Sequence, residues 1–152
     1  DPLSTLDLTP TFLEAAGAPL TEDEVDGKSL LEMFQNPETT PTPHDILPFY
    51  YQENELQAAR MGPWKLIFRH HLVEPVPGEI GMDGPAGPQH TVVQPMSLFD
   101  MKTDPGETEN LHESHPDIVA EMQKRLGAIR LDLGDTIEGY PGEGRRTVGV
   151  RP

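Results

Sequence analysis

Cysteine is absent from the 152 residues, which excludes disulfides, thiolate metal sites and a cysteine nucleophile. Long apolar runs are absent as well. Nothing approaches the roughly 18 residues of a membrane-spanning helix, and Asp1-Pro2-Leu3-Ser4 has neither the basic start nor the apolar core of a leader. With no initiator Met, the sequence is expected to begin inside a longer protein. Aromatic residues make up only 6% of the chain, and basic residues are scarce: 11 Lys and Arg stand against 26 Asp and Glu, for a formal charge of -15. Such a field repels nucleic acid and anionic membrane surfaces, so any anionic ligand must be held by local basic groups.

Glycine and proline are plentiful, at 14 and 17 residues, and predict long irregular connections between few regular elements in a chain of single-domain size. Asp7 is placed to cap a helix over 8–16, with Pro10 in the first turn and Gly17 after the end. Its apolar stripe is Leu8, Phe12 and Ala16. After the acidic stretch Thr21-Glu22-Asp23-Glu24 and the turn pair Asp26-Gly27, Ser29 opens a second short helix that ends before Pro37. Residues 36–45, rich in Asn, Pro and Thr, read as a linker between two organisational layers.

Beyond it, 46–51, 58–60 and 64–68 read as strands, the last two joined by a tight turn at Met61-Gly62-Pro63. Trp64, Leu66 and Phe68 share one face and are expected in the core, where burial of the single Trp contributes about 2–3 kcal/mol. Residues 72–95, dense in Gly and Pro, read as a long loop. A further strand at 96–101 closes in the turn Thr103-Asp104-Pro105-Gly106. Ser114 is expected to cap the strongest helix of the chain, whose stripe is Ile118, Met122, Leu126, Ile129 and Leu133. Residues 135–152, rich in Gly, Pro and Arg, read as an extended tail.

Five blocks in order, Leu6 to Gly17, Asp26-Gly27-Lys28-Ser29-Leu30, Ala59 to Leu66, Leu98-Phe99-Asp100-Met101 and Asp104 to Leu111, resemble the C-terminal third of arylsulfatase-type sulfatases of the alkaline-phosphatase superfamily. The tail, Asp132-Leu133-Gly134-Asp135 with Gly139, Gly142 and Arg145-Arg146, is most similar to bacterial enzymes of the arylsulfatase A kind. The resemblance implies an α+β fold: a C-terminal sulfatase subdomain over 46–134, with a small antiparallel sheet packed on a long C-terminal helix. Residues 1–35 would be the terminal helices of a truncated α/β sulfatase domain. It also implies hydrolysis of sulfate esters by a formylglycine nucleophile beside a Ca²⁺ ion, on a sulfated small molecule or saccharide, in a periplasmic or secreted enzyme. No Cys or Ser followed by x-Pro-x-Arg is present, and the family's metal-binding Asp-Asp and Asp-Asn segments are missing, so no catalytic residue, metal ligand or cofactor is assigned in this sequence and the fragment alone is expected to be inactive.

Three histidines are candidate substrate contacts under that resemblance. His70 and His71 follow the strand 64–68 near Lys65 and Arg69, the most cationic patch before the last helix; they read either as donors to a sulfate or as an ordinary solvated strand end. His90 lies near where relatives present a histidine from the small domain, although Val93 takes the matching place when the Leu-Phe-Asp blocks are aligned; its other reading is a loop residue without a fixed role. Six histidines and 26 carboxylates show no ligand spacing repeated on one helix, and Asp104, Glu107 and Glu109 read as a solvated acidic turn rather than a cation site. Two further readings stand beside the sulfatase: a related phosphodiesterase or phosphonate hydrolase with the same small sheet, and a free-standing module that binds an anionic saccharide without cleaving it.

Overall fold

A computed structural model of the chain describes residues 2–19, 25–78 and 87–145. It divides into two compact units, Asp1–Leu47 with Arg60–Pro63, and Pro48–Ala59 with Trp64–Pro152.

In the first unit a 3₁₀ turn, Thr5–Asp7, runs into α1, Leu8–Ala15, and a short α2 spans Leu31–Gln35. Asp7 does not cap α1. Ser4 caps the 3₁₀ turn instead, accepting from the Leu6 N–H, and the Asp7 carboxylate reaches back to accept from the Ser4 N–H. The buried side of the turn and α1 is built of Asp7, Pro10 and Thr11, whereas the predicted stripe points outward, with Phe12 66% exposed. The Thr11 hydroxyl donates to the Asp7 carbonyl and accepts from the Leu30 N–H, which stitches α1 to the start of α2. Residues 36–45 are tied into this unit: Thr42 donates to the Pro2 carbonyl, Lys28 Nζ to the Pro43 carbonyl, and His44 meets Asp7.

The second unit is built on a four-stranded sheet in the order β1-β2-β3-β6, with β1 Leu47–Tyr51, β2 Glu55–Met61, β3 Trp64–Ile67 and β6 Ser97–Asp100. β3 and β6 are antiparallel, with Trp64 opposite Asp100 and Leu66 opposite Leu98. Gly62 makes the tight turn before β3 at a positive φ that a side chain resists. The predicted loop over 72–95 is instead, where described, a two-stranded ribbon: β4, His70–Pro75, pairs antiparallel with β5, Gln89–Gln94. Except for Pro75, which ends β4, and Pro95, which follows β5, its Gly and Pro residues fall between the strands in sequence, and residues 79–86 lie outside the described part.

α3, Pro116–Leu133, follows the turn at 104–110, where Asp104 accepts from Thr108 and Glu109 and Asn110 from Leu98 and His112. His115, not Ser114, precedes its first turn; the Ser114 hydroxyl donates to the Leu111 carbonyl, and the His115 ring packs 5.3 Å from that of Trp64. Trp64, the first residue of β3, is thus half-buried rather than in the core. The buried stripe of α3 is Met122, Leu126 and Arg130, at helical spacings of four; Arg130 stacks over Phe68, 4.7 Å from the ring centre, and pairs with the fully buried Asp135. Leu56, Leu66, Leu98, Met122 and Leu126 have no exposed surface and form the core of this unit. The stretch after α3 is bound back, not extended: Asp135 and Tyr140 exchange backbone hydrogen bonds, Glu143 and Gly144 donate to the carbonyls of Leu131 and Asp132, and Asp135 accepts from Leu56 and Ile137. Residues 146–152 lie outside the described part.

Candidate functional site

Strand alternation decides what the histidines share. In the ribbon His70 stands opposite Gln94 and Leu72 opposite Val92, and these four form its half-buried face. His71, opposite Val93, lies on the other, exposed face. His90 pairs with Glu74, on the same face as His70 but four residues along, roughly 13 Å at 3.3 Å per residue. The ribbon therefore separates the three histidines: one at its base, one on the reverse face, and one at its far end beside a carboxylate.

His70 has the most defined surroundings. Its Nδ1 lies 2.8 Å from the Phe68 carbonyl oxygen, which only accepts, so Nδ1 carries the proton and the tautomer is fixed. Nε2 is left free. The ring borders two cavities. One, of about 330 Å³, lies over the sheet face that carries Phe49, Tyr51, Gln57, Lys65 and Ile67. The other, of about 320 Å³, is bordered by Glu55, Arg69, His70, His71 and Ile137. Lys65 is already committed to Glu107, 2.5 Å away, whereas the exposed guanidinium of Arg69 has no hydrogen bond or ion pair among the described residues. The unpaired cation beside the histidines is thus Arg69, a residue the sequence places in the patch without distinguishing it from Lys65.

The first unit holds another histidine with a defined partner, which sequence reasoning did not single out. His44 Nε2 lies 2.8 and 2.9 Å from the two Asp7 oxygens, and the same carboxylate accepts from the backbone N–H of Lys28 and of Ser4. Burial pushes the Asp7 carboxyl up, but the Lys28 and Ser4 N–H groups and the His44 imidazole outweigh it and hold Asp7 below its ordinary value. The Asp7 carboxylate is fully buried, and its role is to bind segments 2–7, 28 and 44 together. Arg60 contributes the one buried side-chain nitrogen without an acceptor among the described residues, its Nε.

The chemistry of the donor set does not fit the groups that the resemblance implied. Among the described residues no three His, Asp or Glu side chains gather where they could ligate a metal ion, and no residue suited to become a formylglycine is present in its motif. No step through Ca²⁺ or formylglycine is assigned to these residues.

The architecture, antiparallel sheets with a C-terminal helix, is that of solved sulfatases. The chain superposes on Ps i-CgsB in complex with k-i-k-neocarrahexaose with a TM-score of 0.57 at 25% identity, over 91% of this chain and 28% of that one. It superposes on BT4656, solved in complex with its substrate D-glucosamine-2-N,6-O-disulfate, with a TM-score of 0.54 at 20% identity, over 91% and 25% of the two chains. Residues 42–138 match the family described as the C-terminal region of aryl-sulfatase, and the chain belongs to that family. The steryl-sulfatase of Mus musculus is 32% identical to it over 117 residues, 70% of this chain and 18% of that protein. The chain thus spans about a fifth of the length of this curated relative.

Proposed function

We propose that this chain is the C-terminal part of a sulfuric ester hydrolase of the arylsulfatase A-like kind, bacterial in origin, whose nucleophile and Ca²⁺ site lie outside these residues. The observation that carries the reading is the family match over residues 42–138, which spans the sheet, the ribbon and α3. One property of the surface agrees with it. Leu6, Leu8, Phe12 and Phe34 of the first unit are exposed together with Leu3, an unusual concentration of large apolar side chains in so short a segment. A larger catalytic domain covering that surface accounts for it.

The substrate is a sulfate ester of a small molecule or saccharide, contacted from this part of the enzyme by His70, with His71 and His90 available from the other face and the far end of the ribbon. The chain alone supplies no nucleophile. Release of inorganic sulfate from 4-nitrophenyl sulfate and from sulfated saccharides, assayed with the longer protein that contains these residues, tests the reading. Cleavage of phosphate diesters or phosphonates in preference to sulfate esters would replace it with the neighbouring hydrolase class.

A further inference from the structure

Of the features on the surface of the second unit, the junction of the two cavities at His70 combines the most chemistry. A neutral imidazole whose Nδ1–H is spent on the Phe68 carbonyl has only a lone pair left at Nε2. It accepts a hydrogen bond and has none to give, so it does not suit a sulfate oxygen, which also only accepts. It suits a hydroxyl. The unpaired donor is next in the chain: Arg69 presents a guanidinium fork to the second cavity, free of any partner among the described residues. On the other side of His70, Phe49, Tyr51 and Ile67 give the first cavity an apolar floor, with Phe49 and Tyr51 exposed rather than packed.

We propose that these residues form one binding site for an acidic sugar ring: the ring rests on Phe49, Tyr51 and Ile67, a ring hydroxyl donates to His70 Nε2, and the anionic substituent is held by Arg69. The inference deepens the proposed function, because it rests on His70 being a substrate contact, but it reverses the part assigned to that residue. His70 reads the hydroxyl and Arg69 reads the charge. His90, beside Glu74 at the far end of the ribbon, lies outside the site; His71, on the exposed face of the ribbon, borders the cavity of Arg69 and takes no part in the contacts assigned here. Glu55 borders the same cavity as Arg69 and disfavours a second anionic group there, so the site takes one charge.

The test is a titration of the ¹⁵N-labelled 152-residue chain at about pH 8, above the ordinary imidazole range. The probes are N-acetylglucosamine 6-sulfate, unsulfated N-acetylglucosamine and inorganic sulfate. The sulfated sugar is expected to shift the amides of residues 49–51, 57, 65–67 and 69–71, and to bind about tenfold or more tighter than the unsulfated one, the range of a hydrogen bond to a charged group. Arg69→Gln should bring the two sugars to equal affinity. His70→Ala should weaken both by the same factor, because it removes a contact that both make. With the wild-type amide pattern retained in the variants, a His70→Ala loss confined to the sulfated sugar overturns the assignment of the hydroxyl. Inorganic sulfate binding as tightly as the sulfated sugar, or an undiminished preference in Arg69→Gln, overturns the site. If the sugar binds as described while the longer protein releases no sulfate, the activity reading fails and the site stands; if the longer protein releases sulfate and this chain shows no shifts at these residues, the site fails alone.

Discussion

Removing the Asp7 carboxylate would leave the N–H groups of Ser4 and Lys28 and the His44 imidazole short of an acceptor, all at a group with no exposed surface. Asp7→Ala is therefore expected to destabilise the first unit by roughly 2–4 kcal/mol, the cost of several orphaned buried donors, in chemical denaturation followed by a probe placed in residues 2–44. The sign of the pH dependence follows from the lowered pKa. A carboxyl held below its unfolded value contributes stability that is complete above about pH 4 and is lost as pH falls through the lower folded value. Asp7→Asn should remove that acid-side slope, while His44→Ala should reduce it only in part because the two backbone donors remain. Part of this was open to sequence reading: Asp7 in its Leu-Asp-Leu-Thr-Pro setting stood out as a helix-entry residue. Its partner did not. His44 lies 37 positions away behind a Pro- and Thr-rich stretch, and nothing in local pattern records a contact at that separation.

At the scale of elements, α3 was the most legible, because Met122 and Leu126 recur at a spacing that only a helix turns to one side. Leu126→Ala is expected to cost about 2–5 kcal/mol in denaturant unfolding, as befits a side chain with no exposed surface. A loss near that of an exposed leucine would contradict the packing. Arg130 escaped the pattern since a charged residue on the apolar stripe reads as its edge; here its stem fills the stripe while its head stacks on Phe68 and pairs with Asp135. Asp135→Ala strands that cation and is expected to cost roughly 3–5 kcal/mol, more than Arg130→Met, which removes the charge and keeps the stem. The ribbon was misread for a different reason. Its strands, with His70, His71, His90, Thr91 and Gln94, carry little apolar alternation, because one face is exposed and the other only half-buried, and periodicity is a signal only where burial is one-sided. The candidate site suffered from this directly: with 72–95 read as a loop, His70 and His71 stood at a strand end and His90 in the loop, and only the β4–β5 register places His90 opposite Glu74, four residues along from His70.

For the whole molecule, the exposed face of α1 sets an expectation about cooperativity. A helix of eight residues is marginal alone, and α1 is held mainly by the Asp7 and Thr11 hydrogen bonds rather than by its apolar side chains. Amides of residues 8–16 are expected to exchange with solvent much faster than those of residues 119–129 in this chain, and to gain protection in the longer protein if, as proposed, a catalytic domain covers Leu8 and Phe12. Equal protection of the two segments in the chain by itself would favour a self-contained binding module. The central claim, that these residues are the C-terminal part of a sulfate-ester hydrolase, is tested most directly by measuring inorganic sulfate released from a sulfated substrate by the longer protein and by this chain in parallel. Saturable release by the longer protein and none by the 152-residue chain is the expected result; saturable release by the purified chain itself, or none by the longer protein with any sulfate ester, would contradict it.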